Sequence, residues 1–203
     1  HNRATHHGSY ERRVAELLTR KDRGHVYLNH GHRNSRTSVA QAFYACRVGN
    51  DELGSIYLNG LNDAGITTST KSISEGVTGT CMVLVSEDSE RTMHTYLGIT
   101  AELTDEQIDF TPLNTAKWLY IEGYLSTSDT ARLAVKQARE IAKANGVKIA
   151  LTLSDPAMVQ YARQGLNELL DDGVDFLFCN EQEALMYTET DNIDAALAKL
   201  KLL

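Results

Sequence analysis

The chain has 203 residues, enough for one full domain with a sizeable buried core. Its 42% hydrophobic and 23% charged content is ordinary for a globular protein, and a formal net charge of −7 disfavours nucleic acid or an anionic membrane as partner. No apolar run approaches the roughly 20 residues of a membrane span, and the opening HNRATHHGSY lacks the apolar stretch of a secretory signal.

Six of the seven histidines lie in residues 1–32, among them His6-His7 and His30-Gly31-His32. A metal site is conceivable there, but the carboxylate or cysteine partners and the spacing of a zinc motif are absent. HHGS resembles a purification-tag remnant, and residues 1–41 stay unassigned. The three cysteines, Cys46, Cys81 and Cys179, form no CxxC pair and sit in or beside apolar runs, which predicts reduced core thiols and a cytoplasmic protein.

From Ala42 onward the pattern is regular. Ala42–Val48 (AFYACRV) predicts an apolar strand. DELGSIYLNGLND, 51–63, predicts a helix with Leu53, Ile56, Tyr57 and Leu61 on one face and Asn50 or Asp51 as its cap. Residues 78–98 predict a hairpin with the polar turn Glu87-Asp88-Ser89-Glu90. Its second strand, Arg91–Leu97, is unusual in mixing Thr92, Met93, His94, Thr95 and Tyr96. A connecting region with a short helix at TDEQID fills 101–116.

Beyond it, strands and helices alternate. Strands are expected at Trp118–Glu122, Val147–Leu153 and Val174–Cys179, and helices at Asp129–Ala144, Pro156–Leu170, Glu181–Tyr187 and Ile193–Leu200. Ser128 caps the first of these helices and Asn145-Gly146 ends it. Such alternation predicts a parallel sheet covered by helices, with ligands beyond the carboxyl ends of its strands. Adjacent strands would bring Glu122-Gly123-Tyr124, Ser154-Asp155-Pro156 and Asn180-Glu181-Gln182-Glu183 to one rim. Asn180 and Glu183, three apart on a first helical turn, suit a hydrated magnesium ion; they equally suit a capping box. Asp155 before Pro156 likewise fits a helix cap.

RVGNDELG (47–54), TGTCMVLV (78–85), SERTM (89–93), IEGYLSTSD (121–129), TLSDPAMVQ (152–160) and FLFCNEQEA (176–184) agree in order and spacing with one family. From about Ala42 to Lys201 the chain resembles the ribokinase-like (PfkB) kinases, most closely the adenosine-kinase branch. The resemblance implies an α/β fold: a three-layer arrangement of a parallel sheet with helices on both faces and a small β lid, here the 78–98 hairpin. Residues 42–203 would be part of such a kinase domain. It implies transfer of the γ-phosphoryl of ATP to a primary (5′) hydroxyl, with adenosine the favoured acceptor. A sugar kinase and a noncatalytic ligand-binding module are the alternatives.

The family's NxxE signature falls on Asn180 and Glu183, implying roles for both with Mg2+ and, together with Asp155, on the ATP side. The lid strand lays alternate side chains on the acceptor, here Met93 and Thr95, and Tyr124 matches an aromatic position that can stack on a base. The family's catalytic base, an Asp in a Gly-Ala-Gly-Asp segment, has no counterpart in residues 1–203, nor has its early glycine pair with a sugar-binding Asn. A fragment or incompletely recorded sequence is therefore expected, one that would not catalyse alone. A homodimer through the lid is a further expectation.

Overall fold

The structure, a computed structural model, describes residues 25–28, 41–85 and 91–203, with the side chains of 25–28, 70 and 91–93 outside that description. The expected hairpin turn at 87–90 and the histidines of 30–32 therefore lie outside the described residues.

A six-stranded, wholly parallel sheet organises the molecule. Its strands are β1 (His25–Leu28), β2 (Ala42–Ala45), β4 (Thr67–Thr68), β8 (Trp118–Glu122), β9 (Lys148–Thr152) and β10 (Phe176–Phe178), in the order β10-β9-β8-β1-β2-β4. Two small sheets accompany it: β3 (Val48–Gly49) with β5 (Ile73–Ser74), and the antiparallel lid of β6 (Thr80–Val85) with β7 (Arg91–Tyr96). The helices are α1 (Glu52–Asp63), α2 (Asp129–Ala144), α3 (Pro156–Tyr161), α4 (Arg163–Leu170), α5 (Glu181–Thr188) and α6 (Ile193–Leu200).

Strand alternation divides the core between two sheet faces. Leu119, Ile121, Ile149 and Leu151 point to one face and pack with Ala131, Ala134, Val135 and Ala138 of α2 and Leu166 and Leu169 of α4. Small alanines on α2 let that helix approach the sheet. On the other face, Ala42, Tyr44 and Cys46 pack with Leu61, Tyr57 and Leu58 of α1. This is the expected three-layer α/β architecture.

Four expectations need correction. His25–Leu28, in the unassigned segment, is a central strand bonded to β2 on one side and β8 on the other. The strand expected over 42–48 stops at Ala45, where the chain turns so that the Arg47 guanidinium meets Ser74 Oγ at 3.3 Å and the Glu102 carbonyl. The helix expected over 156–170 breaks at Ala162 (φ −122°, ψ 26°). The break re-aims α4 toward the 123–127 turn, close enough that a Cβ on Gly165 would lie 2.1 Å from the Ser126 carbonyl oxygen. Finally, only Cys46 is a core thiol: Cys179 is half-buried and Cys81, on the open lid, is exposed.

Candidate acceptor and phosphate site on the strand-end rim

Because β8, β9 and β10 are neighbours, their carboxyl ends do form one rim. Each leads directly into a turn or helix carrying polar side chains. After β10, Asn180 is the N-cap of α5: its Oδ1 accepts from Glu183 N at 2.8 Å. Glu183 reaches back, accepting from Asn180 N at 3.1 Å and Asn180 Nδ2 at 2.8 Å. The capping box is thus complete. It also leaves a buried carboxylate at the rim; burial, with the charge of Asp155 adding, pushes Glu183 up to about 6.

After β9, Asp155 caps α3 by accepting from Ala157 N at 2.7 Å, with Pro156 at a first-turn position where a missing N–H costs nothing. After β8, the 3-10 turn Gly123–Thr127 carries Tyr124, half-buried. Burial pushes the Tyr124 phenol up to about 12, helped by the negative charge of Asp155, Glu122 and Glu183 and by Cys81. Tyr124 therefore stands within electrostatic reach of groups from all three strand ends and from the lid.

The lid is a regular ladder from Thr80↔Tyr96 to Val85↔Arg91. Directly paired residues share a face, so Cys81 and Thr95, and Val83 and Met93, lie on one side of it. Cys81 Sγ and Thr95 Oγ1 meet at 3.3 Å. Met93 is on the Thr95 face by backbone register; its side chain lies outside the described residues. The other lid side chains of β6 are exposed.

The base of the lid is anchored. Asp51 caps α1 by accepting from Gly54 N at 2.8 Å, and it also accepts from Thr78 N at 2.8 Å and Thr78 Oγ1 at 2.5 Å. Gly49 N donates to the same hydroxyl at 2.9 Å. The hydrogen bonds from Thr78 and Gly54 hold the Asp51 carboxyl below its usual range. Above this knot the two lid strands converge so closely that a Cβ on Gly79 would lie 2.5 Å from the Leu97 carbonyl oxygen.

Sequence reasoning brought Tyr124, Asp155, Asn180 and Glu183 to one rim, as found. Glu122 and Ser154 were expected on that rim too, but not the hydrogen bond between them, nor the bonds from Thr78 to the capping Asp51. Both link residues far apart in sequence, so no local spacing announces them. A cavity of about 620 Å3 lined by Arg47, Glu102, Thr127, Ser128 and Asp129 includes none of the rim side chains. A smaller one, about 230 Å3, lies between Leu53, Ile56 and Leu61 of α1 and Thr78–Thr80 at the start of the lid.

Among the described residues no group of three or more His, Cys, Asp or Glu side chains could hold a metal directly. A cation on this rim would be held differently: the Glu183 and Asp155 carboxylates and the Asn180 amide would face an ion that keeps most of its own waters, as magnesium does. No helix of the described residues is long and apolar enough to cross a membrane.

The sequence matches the pfkB family of carbohydrate kinases over residues 31–203. No curated protein matches it. Among solved structures it is similar to adenosine kinase from Sinorhizobium meliloti, with 38% identity and a TM-score of 0.76, covering 82% of this chain and 51% of that one. A probable sugar kinase from Rhizobium etli CFN 42 gives 35% identity and a TM-score of 0.74, covering 79% and 49%. Adenosine kinase from Schistosoma mansoni, in complex with 2-fluoroadenosine, gives 25% and 0.71, covering 80% and 49%. The chain thus spans about half the length of these three solved structures.

Proposed function

The chain belongs to the pfkB family of carbohydrate kinases, and on that premise we propose that its full-length protein transfers the γ-phosphoryl group of ATP to the primary 5′-hydroxyl of a nucleoside, with adenosine favoured. The observation carrying this reading is the position of Tyr124: an aromatic ring in the turn after β8, on the same strand-end rim as Asp155 and Glu183. A flat ring at that rim suits a flat base. Met93 and Thr95, on one face of β7, would cover the ribose.

Phosphoryl transfer is chiefly positioning and charge stabilisation. Asn180 and Glu183, with Asp155, would hold the hydrated magnesium ion that accompanies ATP, and the ion supplies positive charge to the phosphate oxygens. The residues themselves act by pre-orientation. Asn180 is fixed by α5, and the Glu183 carboxylate is fixed by Asn180. Asp51 and Thr78 anchor the lid so that closure can exclude water from the acceptor. The general base is assigned to no residue of this chain.

Three thiols without a disulfide support a cytoplasmic enzyme. The exposed Met82 and Leu84, on the lid face opposite Thr95, support a homodimer through the lid. The likeness to a probable sugar kinase at 35% identity favours one second reading, a free sugar as acceptor on the same rim. A thermal-shift panel on the full-length protein separates the two. Adenosine should raise the melting temperature more than ribose at equal concentration, because the base adds buried apolar area. Equal or greater stabilisation by ribose would replace the nucleoside with a sugar.

A further inference from the structure

Glu122 is the last residue of β8, and Ser154 lies just past the end of β9. The Ser154 hydroxyl donates to Glu122 Oε2 at 2.9 Å and accepts from Gly123 N at 2.8 Å. This closes a small ring: the Glu122 side chain holds Ser154, and Ser154 holds the backbone that immediately follows Glu122. Ser154 adopts φ 70°, a left-handed conformation that costs a non-glycine residue energy, and its N–H is tied to Thr152 Oγ1 at 3.1 Å. The two strand ends meet so tightly that a Cβ on Gly123 would lie 2.6 Å from the Thr152 carbonyl oxygen. Tyr120 gives the Glu122 carboxylate a further side-chain hydrogen bond. Glu122 is itself buried, 9% exposed. A buried carboxylate persists only when held by such partners.

We infer that Glu122 and Ser154 are positioning residues that set the Gly123–Tyr124 segment, and through it the Tyr124 ring, in place for the acceptor. The inference deepens the nucleoside reading and rests on it for the identity of the acceptor. Neither residue touches the reacting atoms; both act through the backbone that leads into Tyr124. Removing the carboxylate leaves the Ser154 hydroxyl without its acceptor and frees a strained residue from the contact that holds it. An amide in the same place still accepts that hydrogen bond.

The test uses full-length protein with 13C-labelled tyrosine rings, the Tyr124 signal being identified by its loss in Tyr124→Phe. In Glu122→Ala and in Ser154→Ala that signal should shift or broaden; in Glu122→Gln it should stay at the wild-type position. With ATP in excess, the KM for adenosine should rise about tenfold in Glu122→Ala, with kcat within about threefold, and Glu122→Gln should restore most of the loss. Should Glu122→Ala fail to fold, Ser154→Ala carries both readouts. A wild-type Tyr124 signal and KM in the alanine variants, or an equal loss in Glu122→Gln and Glu122→Ala, overturns the inference. The ring signal needs no substrate. If it responds as stated while adenosine is not an acceptor, the positioning role stands and the nucleoside reading fails.

Discussion

The strand-end rim and the lid hairpin hold their side chains in opposite ways. On the rim, Asn180 and Glu183 hold each other, Asp155 caps α3, and Glu122 is clasped by Ser154. In the lid, β6 is exposed along its whole length, and Val83 is 46% and Val85 67% open to solvent although their backbones are fully paired. The rim is organised before anything binds. The lid has a fixed base, at Asp51 and Thr78, but its apolar area is left uncovered. The proposed phosphoryl transfer would need both: groups fixed in advance that hold the cation accompanying the nucleotide, and a cover that closes over the acceptor.

The largest effect should come from the rim. In the full-length protein, Glu183→Gln should lower kcat about 10- to 100-fold, as loss of a group organising a metal's surroundings typically does. The glutamine oxygen keeps one of the two hydrogen bonds from Asn180 and loses the other, so chemical unfolding should move by about 1–2 kcal/mol. Wild-type turnover and magnesium dependence in that variant would reduce Glu183 to a helix cap and leave the rim without its charge.

Tyr124 joins the two regions, so its removal should weaken binding more than chemistry. Tyr124→Ala should raise the adenosine KM about tenfold, the scale of one lost base–aromatic stack, and leave the ribose response unchanged. A tenfold loss for ribose as well would show that Tyr124 shapes the site rather than faces a base.

Val83→Ser probes the lid itself. Val83 is exposed and shares a face with Cys81 and Thr95. The unliganded protein should lose no more than about 0.5 kcal/mol, the usual limit for surface substitutions, while the rise in melting temperature given by saturating adenosine should shrink. A large loss without ligand would mean that the lid is already packed, and the contrast would collapse.

The smallest effect is a pH slope. Burial raises the Glu122 carboxyl above its ordinary value, with Ser154 and Tyr120 partly offsetting it; Tyr44 of β2 and Tyr124 face the same carboxylate. As pH rises, the unfolded chain releases this proton first. The associated stability is therefore present below the ordinary carboxyl value and lost as pH passes through the folded one. Urea unfolding across that window should show wild type losing stability relative to Glu122→Gln. Parallel curves would contradict the burial argument.

Legibility in the sequence followed the range of each interaction. The periodic stretch 129–144 matches α2 in both bounds, because its alanine stripe and its caps, Ser128 and Gly146 (φ 67°), are local. The Asn180–Glu183 capping box was readable for the same reason. His25–Leu28 was not: HVYL is short and flanked by polar residues, and its strand character comes from neighbours on both sides. Leu53 and Ile56 do share a helix face with Leu61, yet they stay 48% and 57% exposed, since sequence periodicity says nothing about what covers a face. Glu122 and Ser154 meet only because β8 and β9 are adjacent in register.

The proposed role of this rim and lid is phosphoryl transfer to a nucleoside in the full-length protein. It is tested most directly by incubating the purified full-length protein with ATP, magnesium and adenosine and following both ADP and phosphorylated adenosine. The prediction is stoichiometric formation of ADP and adenosine 5′-phosphate, lost on omitting magnesium and much slower with ribose in place of adenosine. ATP consumption with ribose but not with adenosine, or no turnover with either, would contradict it.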